Sequence, residues 1–97
     1  MANYNLSPSS YFKRKYDELI KHNQSLQSEI SRTFELLQTN PFYPTLKTHK
    51  VDSKVKNGVF SSRITSDLRI IWEFSDVGVN ILDLLDIGGH SGNKGVY

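Results

Sequence analysis

The stretch from Val59 to Ser75 alternates in character. Phe60, Ile64, Ile70, Trp72 and Phe74 occupy even positions, while Ser61, Arg63, Thr65, Arg69 and Glu73 occupy odd ones. Successive side chains of a strand point to opposite faces, so parity sorts the stretch into an apolar face and a polar face. The even face suits a core, and the odd face holds two fixed cations. A reversal near Ser66-Asp67-Leu68 has to preserve that sorting, because register follows the buried face. A three-residue loop there sets Thr65 opposite Arg69 and Ile64 opposite Ile70, whereas a two-residue loop mixes the faces. The pattern therefore predicts an odd loop or a bulge. Leu68 fits such a loop poorly, since a branched side chain resists the positive φ often needed there.

Upstream, the period is that of a helix. Ser7-Pro8 reads as a helix start, with Ser7 as N-cap and Pro8 at the first helical position. Phe12, Tyr16, Leu19 and Ile20 then form one helical stripe. Lys21 and His22 suit the C-terminal end of the helix dipole, and His22-Asn23-Gln24 is a break. Leu26, Ile30, Phe34 and Leu37 form a second stripe, ended by Asn40-Pro41, because the residue before proline avoids the helical region. So short a link predicts an antiparallel helical hairpin over residues 7–39, with its aromatic residues in the core.

Beyond Pro41 the pattern changes to strands: Leu46–Val51, Val59–Thr65, Arg69–Ser75 and Val79–Ile87, the last mostly apolar and hence central. Asn57-Gly58 and Asp76-Val77-Gly78 mark turns. Asn3-Tyr4-Asn5-Leu6 offers a further short edge strand. The expected fold is α+β: an N-terminal helical hairpin packed on one face of a small, mostly antiparallel four-stranded sheet. Residues 1–97 are expected to form one domain, with the sheet over 45–88 and a C-terminal tail over 89–97.

Composition narrows the chemistry. The chain has 97 residues, 37% of them hydrophobic, and no cysteine, so disulfides and thiolate metal sites are excluded. His22, His49 and His90 lack the spacing of zinc ligands, and no metal or cofactor is expected. No apolar run reaches the length of a membrane span, and Met1-Ala2-Asn3-Tyr4 does not read as a secretory leader, so the cytoplasm is the expected compartment. Residues 47–69 carry a net charge of +4 and the remainder −2. Such a patch fits a polyanion such as nucleic acid, or else a strand edge protected by lysines. The cations available to hold RNA or phosphate are Lys47, Lys50, Lys54, Lys56 and Arg69.

With helices covering the even face, the odd face is expected to stay open. Lys47, His49, Lys50, Arg63, Asp67, Arg69, His90 and Tyr97 are the residues able to act there. Gly88-Gly89 would let the chain wrap the sheet edge and return His90 to that face. This set suits cleavage of an RNA phosphodiester by its own 2′-OH. A base takes the 2′-OH proton, cations stabilise the phosphorane, and an acid protonates the leaving 5′-oxygen. Histidine fits either proton role and arginine matches phosphate. Tyr97 suits stacking on an unpaired base. The plainer alternatives are surface histidines, and cross-strand ion pairs of Arg63 and Arg69 with Glu73 or Asp67.

Several segments then fall in a recognisable order: Asn40-Pro41, Leu46-Lys47-Thr48-His49-Lys50, Phe60-Ser61-Ser62-Arg63-Ile64, Ser66-Asp67-Leu68-Arg69-Ile70-Ile71-Trp72, and Asp86-Ile87-Gly88-Gly89-His90 before Tyr97. Over nearly its whole length the chain resembles the RelE/ParE superfamily of bacterial toxins, especially the RelE-like and YafQ-like messenger RNA interferases of type II toxin–antitoxin systems. The resemblance implies a ribosome-dependent endoribonuclease that enters the A site of the 70S ribosome and cuts messenger RNA without metal. It also implies a cognate antitoxin protein as partner and a bacterial cytoplasm as setting. By position, His49, Arg63, Asp67, His90 and Tyr97 match catalytic positions, and Lys47 and Lys50 match lysines of RelE-type members. Arg69 matches the common arginine of the strand after the turn. The six residues between His90 and Tyr97 are more than these toxins usually carry. The superfamily also contains ParE-like inhibitors of DNA gyrase, and a catalytically inactive binder of the same fold is a third possibility.

Overall fold

The computed structural model describes residues 3–90 and 95–97. Its elements in chain order are β1 (Asn5–Pro8), α1 (Ser10–His22), α2 (Leu26–Thr39), a 3-10 turn (Pro44–Leu46), β2 (His49–Val51), β3 (Val59–Arg63), β4 (Leu68–Phe74) and β5 (Ile81–Gly89). The strands form one sheet in the order β1-β5-β4-β3-β2. The α+β architecture matches expectation, but the sheet has five strands where four were expected. The additional strand is the N-terminal edge segment, which runs parallel to β5, whereas all other pairings are antiparallel.

That edge strand corrects the helix start. Pro8 belongs to β1, and the N-cap is Ser9, whose Oγ accepts the Phe12 N–H at 3.0 Å. The Ser9 N–H donates to the Leu84 carbonyl at 2.9 Å, so pairing with β5 keeps the chain extended past Pro8. Proline is tolerated there because β1 is an edge strand. Both helical stripes face inward as the spacing predicts: Phe12, Ile30 and Leu37 are buried, with Tyr16, Leu19, Ile20, Leu26 and Phe34 packed around them. Asn23 and Asn40 end the two helices.

The first strand after the helices is shorter than Leu46–Val51. Pro44 begins a 3-10 turn that buries Leu46, and Lys47 follows in the left-handed region at φ 48°, so β2 starts at His49. The β3–β4 turn is an odd loop, one residue earlier than expected. Arg63 pairs with Arg69 and Ser62 with Ile70. The Ile64 N–H donates to the Leu68 carbonyl at 2.9 Å, leaving Thr65-Ser66-Asp67 as the loop. Thr65 Oγ1 accepts the Asp67 and Leu68 N–H groups, which closes the turn. Leu68 becomes a buried strand residue and escapes the loop conformation that disfavours it.

Parity fails in one place. β5 carries a bulge, so Ile71 pairs with Asp86 while Trp72 pairs with Leu84. The additional residue lets Leu82, Leu84 and Ile87 all reach the core under the helices, while Leu85 packs on the opposite face. Asp86, fully buried at the bulge, meets Lys15 Nζ of α1 at 2.6 Å and accepts the Ile87 N–H at 2.8 Å. A buried carboxylate requires such partners, because desolvation penalises an isolated charge by several kcal/mol.

The odd face is not fully open, contrary to expectation. Val59, Ile71 and Val96 form a second buried cluster there, flanked by Val51, Leu85 and Tyr97. The C-terminal residues 95–97 run back over the sheet. The Val96 N–H donates to the Gly89 carbonyl at 3.0 Å, and the Val96 carbonyl accepts the Lys54 N–H at 2.9 Å. No helix among the described residues is long and apolar enough to cross a membrane.

Candidate functional site

Three strands and the C-terminal segment bring polar side chains together on the odd face. His49 lies at the exposed start of edge strand β2, with Ser61 of β3 as its register partner. Its Nδ1 is 2.9 Å from the Lys47 carbonyl. A carbonyl only accepts, so Nδ1 carries the hydrogen in this contact. A neutral His49 then presents Nε2 with its lone pair outward.

The segment before His49 is fixed by a buried hydroxyl relay. Trp72 Nε1 donates to Ser62 Oγ at 2.7 Å, Ser62 Oγ lies 2.6 Å from Thr48 Oγ1, and Thr48 Oγ1 donates to the Pro41 carbonyl at 2.6 Å. With Thr48 donating to the carbonyl, Ser62 donates to Thr48, and each donor in the chain is satisfied. The turn before β2 is thus anchored to the centre of the sheet.

Arg63 and Arg69 face each other as register partners across β3 and β4. Like charges placed directly opposite repel, and loop carbonyls hold them there. Arg63 Nε donates to the Thr65 carbonyl at 3.2 Å. Arg69 donates to the carbonyls of Thr65 at 2.9 Å, Leu68 at 3.1 Å and Ser66 at 3.2 Å. The expected alternative, neutralisation by Glu73 or Asp67, is not what the structure contains. Glu73 is engaged by Lys56, and Asp67 Oδ1 accepts the His90 backbone N–H at 3.2 Å. Among the described residues, neither arginine has a carboxylate partner.

His90 follows β5 and is exposed. Its ring packs against Tyr97, with centroids 5.1 Å apart at 68°. Tyr97 is half-buried and its hydroxyl donates to Ser61 Oγ at 2.6 Å. Tyr97 therefore does return to the face carrying His49 and the arginines. Residues 91–94, part of the long stretch between His90 and Tyr97, lie outside the described residues.

The other cations are dispersed. Lys50 Nζ sits 5.9 Å over the Phe60 ring, on the helix-bearing face and not on the odd one. Lys56 Nζ binds both Glu73 oxygens, at 2.9 and 2.8 Å, at the end of the sheet away from the arginine pair. That hydrogen bond, and then the Glu73 charge, raise the Lys56 pKa above its usual 10.5. Lys47 is exposed on the bend before β2, beside His49 in sequence but not in a strand. Lys54 reaches the tail through its backbone. Ser61 was visible as an odd-face position, but only the return of Tyr97 gives its hydroxyl a partner.

A groove of about 420 Å³ between the helices and Gly88-Gly89 lies on the other side of the sheet and includes none of His49, Arg63, Arg69, His90 and Tyr97.

No protein-family model matches the chain, and no curated protein sequence does. Solved structures do match its fold. The YoeB dimer from Staphylococcus aureus superposes with a TM-score of 0.71 at 19% identity, covering 93% of this chain and 100% of that one. YafQ from E. coli gives 0.68 at 18% identity, over 89% and 92% of the two chains. A chain of the E. coli DinJ–YafQ toxin–antitoxin complex gives 0.68 at 16% identity, over 91% of this chain and 93% of that one. At these identities the likeness is one of fold. The chain has the overall RelE-like fold of these YafQ and YoeB structures.

Proposed function

We propose that the chain is the toxin of a type II toxin–antitoxin system and acts as a ribosome-dependent endoribonuclease on messenger RNA in the bacterial cytoplasm. The observation that carries this reading is the arginine pair. Arg63 and Arg69 stand opposite each other with no carboxylate partner among the described residues, on the face that also presents His49, His90 and Tyr97. Two guanidiniums held by carbonyls keep their charge and remaining donors for an anion, and phosphate accepts such a fork bidentately. The fold shared with YafQ and YoeB supports the same assignment.

In the proposed reaction the ribose 2′-oxygen attacks the adjacent phosphorus. His49 Nε2 takes the 2′-OH proton as general base. Arg63 and Arg69 stabilise the negative charge that builds on the phosphorane oxygens. The bond to the 5′-oxygen breaks and His90 supplies its proton, giving a 2′,3′-cyclic phosphate and a 5′-hydroxyl. Asp67 acts through the His90 backbone, and the Tyr97 ring offers a stacking surface for an unpaired base. In this reading the 70S ribosome A site presents the message to this face. Lys47 flanks the His49 side and adds attraction for the backbone. A cognate antitoxin is the proposed protein partner, as DinJ is for YafQ in the E. coli complex.

Primer extension on messages from a translating extract tests the proposal. Cuts that depend on the protein, and that fade with Arg63→Ala or His90→Ala, support it. Intact messages together with blocked DNA supercoiling would replace it by gyrase inhibition. Intact messages with normal supercoiling would leave a binding protein.

A further inference from the structure

We propose that Ser61 is a positioning residue of this site: its buried hydroxyl ties Tyr97 to the sheet and, through the Tyr97 ring, fixes the imidazole of His90. The inference rests on the reading of His90 as a member of the site. Ser61 is 0% exposed and is the register partner of Ile71, whose cluster with Val59 and Val96 is also flanked by Tyr97. A hydroxyl in apolar surroundings is costly unless it is hydrogen-bonded, and alanine would pack there without that cost. Its partner is the Tyr97 hydroxyl at 2.6 Å.

Tyr97 requires such an anchor. It lies beyond the last strand, so its contacts with the sheet set its position. Here Val96 holds the backbone through Gly89 and Lys54, and Ser61 holds the far end of the ring. His90 in turn is fixed at two points: Asp67 binds its backbone N–H, and its ring lies 5.1 Å from the Tyr97 ring. Removing the Ser61 hydroxyl frees the ring on which the imidazole rests. The direction of the bond also limits Tyr97 itself. Its hydroxyl proton points into the sheet toward Ser61, so its contribution to the site is its ring and not its proton.

The test compares wild type, Ser61→Ala, Ser61→Thr, Tyr97→Phe and the Ser61→Ala/Tyr97→Phe double variant. The first measurement needs no substrate: NMR of the His90 imidazole resonances, with thermal unfolding alongside. Ser61→Ala and Tyr97→Phe should move the His90 ring signals in the same way. The double variant should add nothing, and Ser61→Thr, which keeps a hydroxyl, should stay near wild type. The second measurement is message cleavage on ribosomes. Each single removal should slow turnover roughly fivefold, the factor a neutral hydrogen bond is worth, with little change in KM. The two losses should not multiply, because both variants delete one interaction. His90 signals unchanged in both single variants would overturn the proposal whatever the activity, and so would multiplicative rate losses. Shifted His90 signals in a protein that cuts no message would uphold the positioning and remove the nuclease reading instead. Should Ser61→Ala not fold, Tyr97→Phe deletes the same bond from the half-buried chain end and decides by its His90 signals.

Discussion

Arg63 and Arg69 are placed at some cost to the fold. Like charges directly opposite on neighbouring strands are destabilising by a few tenths of a kcal/mol, and here carbonyl oxygens of the turn, not carboxylates, share them. Activity and stability should therefore respond in opposite directions. Arg63→Ala should cut the single-turnover cleavage rate by about 100-fold, the scale of losing one donor to developing negative charge. Its melting temperature should be equal to or above that of wild type. A matching loss of stability in thermal unfolding would show that Arg63 is a packing residue. Lys56 is the contrasting case. Its raised pKa comes from Glu73, so the pair contributes stability fully below pH 10.5, and that contribution is lost as pH rises through the higher folded-state value. Chemical unfolding between pH 9 and 11.5 should show wild type losing more stability than Lys56→Met, which lacks the titrating group.

At the scale of elements, two buried polar assemblies tie strands to what lies beside them. The Trp72–Ser62–Thr48–Pro41 relay fastens the pre-β2 turn to the sheet centre. Ser62→Ala leaves the Trp72 N–H without its acceptor inside the core and should cost about 1–3 kcal/mol in urea unfolding. The Lys15–Asp86 pair fastens α1 to the β5 bulge. Lys15→Met strands a fully buried carboxylate and should cost about 3 kcal/mol or more by the same measurement. A change below about 0.5 kcal/mol in either variant would mean that the buried group finds another partner or water. The two assemblies serve the site differently. The relay fixes the chain just before His49, whereas the bulge lies in the strand that leads to His90.

For the whole molecule, the site depends on chain segments that are distant in sequence. His49 enters from one sheet edge, the arginines from the β3–β4 hairpin, and His90 and Tyr97 from beyond β5. Val96 is the common support, buried against Val59 and Ile71. Val96→Ala removes buried methyl groups and should cost about 1–3 kcal/mol. It should also lower the cleavage rate without altering any residue that meets RNA, which unfolding and cleavage assays on one preparation would check. A variant that is destabilised but fully active would show that the C-terminal return is not needed by the site.

The division between sequence and tertiary structure follows from the range of the forces involved. Local periodicity carried both helix faces, the alternation of β3 and β4, the odd loop between them and the shared face of Arg63 and Arg69. Each of these is set by dihedral preferences and by which side of an element is apolar. The sequence was silent where a distant partner decided the outcome. Pairing of β1 with β5 moved the helix start from Ser7 to Ser9, because a strand registers only against its neighbour. The bulge at Leu85 broke the parity of β5, so nothing in its run of apolar residues separated the two faces. The occupants of Glu73 and Asp67, Lys56 and the His90 backbone, left the arginines without a carboxylate partner among the described residues. Above all, Tyr97 gained its place from a hydrogen bond to Ser61 and from the burial of Val96. Neither contact leaves a local pattern, because both join residues 95–97 to strands far from them in sequence, and their energy exists only once the sheet beneath them has formed.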